Sequence, residues 1–127
     1  MNEENKKKIL LIEDEDDIRA LYVEILNDAG YSVFEATDGN SGIDAAREQD
    51  WDLLLLDIML PGQDGVQVLS QMKAESIGTG KPIILLTNLG SEHVINECFK
   101  LGADGYLIKS QITPDKIVDE VNVYFKK

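Results

Sequence analysis

A chain of 127 residues with 43% hydrophobic and 28% charged residues has the make-up of one globular domain, long enough for a real core and too short for two. Its 24 acidic residues against 12 basic ones leave a net charge of −12, which repels phosphate backbones and argues against direct nucleic-acid binding. No apolar run approaches a membrane span, the start MNEENKKK lacks the apolar stretch of a secretory signal, and the single Cys98 allows no internal disulfide. A cytoplasmic protein is expected, folded as one domain over 1–127 with 1–7 as a loose tail.

Along the chain, apolar runs alternate with segments of helical period. KILLIE (8–13) predicts the first strand. The helix after it places Ile18, Leu21, Tyr22, Ile25 and Leu26 on one face, with Gly30 just past its end and Asp14 or Asp16 as a candidate cap. YSVFEA (31–36) predicts the second strand and DLLLLD (52–57) the third, each followed by a further helical segment. Pro61 and Gly62 break the chain after the third strand, as a turn should. KPIILLT (81–87) predicts the fourth strand; His93, on the helix that follows, has no second ligand type near it and is assigned no chemistry. GYLIK (105–109) is the fifth strand, and the last helix starts with Thr113 as N-cap and Pro114 in its first turn, placing Ile117, Val121, Tyr124 and Phe125 on one face. Five near-continuous apolar strands, each followed by a helix, predict an α/β domain with a parallel sheet covered on both faces.

Ligands of such sheets bind beyond the carboxyl ends of the strands. Those ends carry Glu13 and Asp14, then Asp57, then Thr87 followed by Asn88, and finally Lys109. Singly, each has a plain structural explanation: acids cap helices, threonines suit strands and lysines are solvated. Jointly, independent strand ends supply three acids, a hydroxyl and an ammonium to one rim.

Three carboxylates held together repel, which raises their pKa values unless a cation offsets them. Magnesium does so with hard oxygen ligands and keeps coordination positions for water and phosphate oxygens. An ammonium and a hydroxyl add hydrogen bonds to a phosphoryl group, so the set points to phosphoryl transfer by positioning and charge neutralisation. Asp57, from the central strand, is the candidate nucleophile for an aspartyl-phosphate.

At these residues the chain resembles the response-regulator receiver domains of two-component signalling, in the single-domain manner of chemotaxis regulators. ILLIEDEDDIR (9–19), LLLDIMLPGQDG (54–65), PIILLTN (82–88) and GADGYLIKS (102–110) match that family's motifs in order over essentially the whole length. The resemblance implies a flavodoxin-like (βα)5 doubly wound sheet of strand order 2-1-3-4-5. It implies that Asp57 accepts phosphate from a histidine kinase or histidine phosphotransfer protein. Mg²⁺ would be held by Asp14, Asp57 and the backbone carbonyl of Met59, with Glu13 acting through water. Lys109 would pair with Asp57 or the phosphoryl group. Thr87 and Tyr106 would form a switch that reshapes the surface of the fourth helix, fifth strand and fifth helix for a downstream protein. Taken by itself, Tyr106 reads as a half-buried strand aromatic.

Two positions depart from the family's pattern. Ser110 stands where a proline with a cis bond is usual, and cis costs about 3–4 kcal/mol without proline, so Lys109–Ser110 is expected to be trans. Asn88 stands where the family has a small residue and adds bulk beside Asp57. Met59 and Leu89, two residues beyond Asp57 and Thr87, flank the approach of a hydrolytic water with side chains that cannot hold it, which predicts a long-lived phosphoryl group.

No output domain is expected within these residues, so a signal would leave through another protein. Two rival readings are a pseudo-receiver that never takes phosphate and a Mg²⁺-dependent phosphatase with an aspartyl nucleophile. The intact set of five polar residues argues against the first, and Met59 in place of a second aspartate argues against the second.

Overall fold

A computed structural model describes residues 6–88 and 92–125. The elements in order are β1 (Lys8–Ile12), α1 (Asp16–Asp28), β2 (Ser32–Ala36), α2 (Gly39–Glu48), β3 (Leu53–Asp57), β4 (Met59–Leu60), β5 (Gln63–Asp64), α3 (Gly65–Ala74), β6 (Ile83–Thr87), α4 (Glu92–Lys100), β7 (Gly105–Ile108) and α5 (Pro114–Phe125). Five parallel strands form one sheet in the order β2-β1-β3-β6-β7, the doubly wound flavodoxin-like arrangement expected as 2-1-3-4-5. The short strands β4 and β5, a hairpin outside that sheet, were expected only as a turn.

Alternate residues of β1, β3 and β6 feed opposite cores. Leu10, Ile12, Leu54, Leu56, Ile83 and Leu85 join one apolar cluster with α2, α3 and α4 residues such as Ile43, Val68 and Cys98. Ile9, Leu11, Leu53, Leu55, Ile84 and Leu86 join the other, with Tyr22 and Leu26 of α1 and Ile117 and Val121 of α5. Both faces being covered, the strands read as unbroken apolar runs. Each fully buried Leu or Ile contributes roughly 2 kcal/mol, so β3 is a stiff mount for whatever stands at its end.

Three details of α1 and its neighbours differ from the sequence expectation. Leu21 is 52% exposed, because the stripe facing the sheet is narrower than the helical period allows and only Tyr22 and Leu26 are fully covered. Neither Asp14 nor Asp16 caps the helix: Glu15 holds the N-cap position and its side chain makes no capping bond, since Asp14 is drawn into the acidic cluster. Of the tail expected over 1–7, residues 1–5 lie outside the described residues, while the carbonyl of Lys7 accepts the Ser32 N–H at 3.0 Å.

Thr113 caps α5, its hydroxyl accepting the Lys116 N–H at 3.3 Å, and Pro114 opens the helix. No helix among the described residues is long and apolar enough to cross a membrane.

Candidate functional site

The strand ends converge as the topology requires. Beyond β1, Glu13 is fully buried and Asp14 half-buried; at the end of β3, Asp57 is 2% exposed. One carboxylate oxygen from each of Glu13, Asp14 and Asp57 lies within 4.8 Å of the others. Local structure holds the acids in place. The Glu13 N–H donates to Ala36 of β2 at 3.0 Å, and its carbonyl accepts from Arg19 at 3.0 Å. The Asp57 carboxylate accepts the Met59 N–H at 3.0 Å, where the chain turns into the β4–β5 hairpin. That hairpin reverses at Gly62, whose φ of 77° suits glycine, and runs into α3, which Asp64 caps through a reciprocal pair with Gln67. A side chain on Gly65 would come within 3.1 Å of the Ile58 backbone, so the exit of the hairpin is pinned directly behind Asp57.

Lys109, just beyond β7, crosses the site with its side chain 6% exposed. Its ammonium lies 2.8 Å from Asp57 Oδ2, 2.7 Å from Glu13 Oε1 and 3.7 Å from Glu15 Oε1. Burial disfavours the ammonium, but hydrogen bonds to Asp57 and Glu13 outweigh that and raise its pKa. Burial also pushes the Asp57 carboxyl up to about 7, against the hydrogen bonds from Lys109 and the Met59 N–H. Carboxylate repulsion, the cause expected from sequence, enters only as a smaller contribution from Glu13. Desolvation is the larger effect because Asp57 is carried on the most buried strand.

Thr87 is 1% exposed at the end of β6, and its hydroxyl donates to the Asn88 carbonyl at 2.9 Å. Asn88 itself is exposed. On β7, Tyr106 is 46% exposed and meets Phe99 of α4 edge-on, ring centroids 6.3 Å apart. The Lys109–Ser110 peptide is trans and leads into a single 3-10 turn, Lys109–Gln111. Met59 is 55% exposed beside Asp57, whereas Leu89 lies outside the described residues.

The site contains two residues to which the sequence analysis assigned no role. Glu15 stands near enough to Lys109 to add a third carboxylate to its surroundings, and Arg19 ties the Glu13 carbonyl to Asp16 and Glu35 side chains on the rim. Both lie within the ILLIEDEDDIR stretch, but their contacts with Lys109, the Glu13 carbonyl and Glu35 are made by the fold and cannot be read from that motif.

An oxygen-rich cluster of this kind suits a hard divalent cation. Glu13, Asp14 and Asp57 each turn one carboxylate oxygen to a common point, which supports the fit.

Comparison with known proteins agrees with this geometry. The family model described as the response regulator receiver domain matches residues 9–122, and the chain belongs to that family, the receiver domains of two-component signalling. The transcriptional regulatory protein ResD of Bacillus subtilis is 35% identical over 127 residues, all of this chain but 51% of ResD. The sporulation initiation phosphotransferase F of the same organism is 36% identical over 118 residues, 93% of each protein. Among solved structures, the receiver domain of the sensor histidine kinase PA1611 of Pseudomonas aeruginosa, which has a magnesium ion coordinated in its active-site cleft, superposes with a TM-score of 0.83 at 27% identity over 94% of this chain and 97% of that one. The chain thus spans about half the length of ResD and nearly all of the phosphotransferase and of the solved receiver.

Proposed function

We propose that this domain takes a phosphoryl group from a histidine kinase or histidine phosphotransfer protein onto Asp57 and passes the signal on through a changed protein-binding surface. The observation that carries this reading is the Asp57 carboxylate at the carboxyl edge of the central strand, with Lys109 at 2.8 Å and two further acids beside it. The reading is a signalling phosphoacceptor that catalyses only its own phosphorylation and dephosphorylation, and its donor places it in the cytoplasm.

In the transfer, an Asp57 oxygen attacks phosphorus, the P–N bond to the donor imidazole breaks, and the imidazole nitrogen regains a proton. Asp57 must be ionised to attack, and the Lys109 and Met59 hydrogen bonds favour that form against the cost of burial. Asp14, Asp57 and the Met59 carbonyl would hold Mg²⁺, with Glu13 reaching it through water. The ion, when bound, neutralises charge that builds on the phosphoryl oxygens. Lys109 already lies at hydrogen-bond distance from Asp57 and shifts to a phosphoryl oxygen once Asp57 is phosphorylated. Thr87 offers its hydroxyl to the same group by leaving the Asn88 carbonyl. Tyr106, half exposed on β7, turns inward as Thr87 moves, and the face of α4, β7 and α5 changes for a downstream protein.

Incubation with Mg²⁺ and acetyl phosphate, followed by intact-mass measurement, tests the reading. One added phosphate supports it. Steady turnover of the donor would instead indicate a phosphatase, and an unchanged mass a pseudo-receiver.

A further inference from the structure

At the end of the sheet opposite the acidic site, below the amino ends of β6 and β7, a cavity of about 520 Å³ opens between α3 and α4. Its size lies within the range of small-molecule sites. Lys73, Lys81 and Lys100 line it, and its one acid, Asp104, is committed to the Ile83 N–H at 2.8 Å. A local excess of positive charge is unexpected on a chain of net charge −12. The groove between α1 and α5, by contrast, follows the bulk charge, rimmed by Glu24, Asp28, Asp115 and Asp119 with no basic residue.

The three ammonium groups are weakly engaged. Lys100 pairs with Glu97 at 3.5 Å on the surface, a contact worth little. Lys81 lies 4.7 Å from the ring centroid of Trp51, and Lys73 has no carboxylate partner among the described residues. Beneath them Ile77, Phe99 and Leu101 present apolar surface, and Phe99 is 38% exposed. Walls come from the end of α3, the loop 76–82, the turn 99–104 and Tyr124, which encloses a compact molecule better than it tracks an extended peptide.

We propose that this cavity binds a small organic anion, an aromatic or aliphatic body bearing a sulfonate, carboxylate or phosphate group, through Lys73, Lys81 and Lys100 over the Phe99 floor. The apolar body covers surface that is otherwise wet, and the anionic group meets ammonium groups that lack strong partners. Phe99 also touches Tyr106, so an occupant would adjoin the face through which the phosphorylation state is read.

The test uses 8-anilinonaphthalene-1-sulfonate as an amphipathic anion and inorganic phosphate as a charge-only control. The isotopically labelled chain is titrated and amide shifts are followed by two-dimensional NMR. The expected result is saturable binding of the sulfonate, with shifts concentrated at Gly78, Gly80, Gly102 and Phe99, and binding of phosphate at least tenfold weaker. Lys73→Glu with Lys100→Glu, two exposed positions, should weaken the sulfonate at least tenfold while phosphate uptake from acetyl phosphate is unchanged. Phe99→Ala should weaken it as well. Shifts mapping to another face, or affinity unaltered by the charge reversal in a normally folded variant, would overturn the proposal. Equal binding of inorganic phosphate would overturn the amphipathic class. A failure of acetyl phosphate to label Asp57 bears on the receiver reading alone.

Discussion

Lys109 and Asp57 form a buried ion pair of 2.8 Å between the fifth and third strands of the main sheet, and Lys109 closes on Glu13 at 2.7 Å from the same ammonium. The lysine is therefore the counter-ion for two carboxylates that water scarcely reaches. Removing one member of such a group leaves the others charged and unpaired. Lys109→Ala should lower unfolding free energy by about 3 kcal/mol at neutral pH in metal-free buffer, read from urea unfolding. A loss below about 1 kcal/mol would mean that the two carboxylates are solvated or protonated without it.

Asp57→Asn should abolish phosphate uptake and leave the fold intact. The amide keeps the shape of the side chain, and Glu13 remains as a partner for Lys109. Because burial is the largest cause raising the Asp57 carboxyl, which stands at about 7, removing its charge relieves a desolvation cost, and the urea midpoint should hold or rise. A variant that still gains one phosphate by intact mass would remove Asp57 as the acceptor.

Mg²⁺ should raise the melting temperature, since it binds the folded acidic cluster and not the unfolded chain. At tenfold excess over Kd the gain is roughly 1.4 kcal/mol. Asp14→Ala should abolish the rise; an identical shift in that variant would place the ion elsewhere.

Phosphoryl lifetime should be set in part by Met59 and Leu89. Met59, 55% exposed next to Asp57, has only a thioether with which to hold a hydrolytic water, and Leu89 has no polar atom at all. Met59→Asn with Leu89→Glu should speed decay of the phosphorylated form several-fold after the donor is removed, followed by mass spectrometry. An unchanged decay rate would show that water positioning by these residues does not limit hydrolysis.

Cys98 should resist alkylation until the protein unfolds. It has no exposed surface, and burial raises its thiol from an ordinary value of 9.0 to about 11. At pH 8 that shift alone lowers the thiolate fraction about 100-fold relative to the unfolded chain. The sign follows for stability: the native thiol keeps its proton while the unfolded one loses it, so this group costs stability as pH rises through 9 toward 11. Rapid labelling by iodoacetamide in native buffer would show that α4 opens locally.

Much of this molecule is written in its local sequence, for a physical reason. Strands covered on both faces must be apolar at every position, so KILLI, LLLLD and IILLT announce themselves without reference to partners. A polar residue ending such a run has to emerge at the strand's carboxyl edge, which made Glu13, Asp57 and Thr87 visible as a set. Thr113 and Pro114 were legible because capping is a matter of a few neighbouring residues. The exposure of Leu21 was not, since helical period shows which residues share a face and not how wide a stripe the neighbouring helix covers. Likewise the Met59–Asp64 hairpin looked like any turn, because two-residue strands carry no period of their own. The bond from Lys109 to Glu13 and the lysine-lined cavity under α4 arise between segments far apart in the chain, and only tertiary packing decides which charges meet and which are left facing an apolar floor.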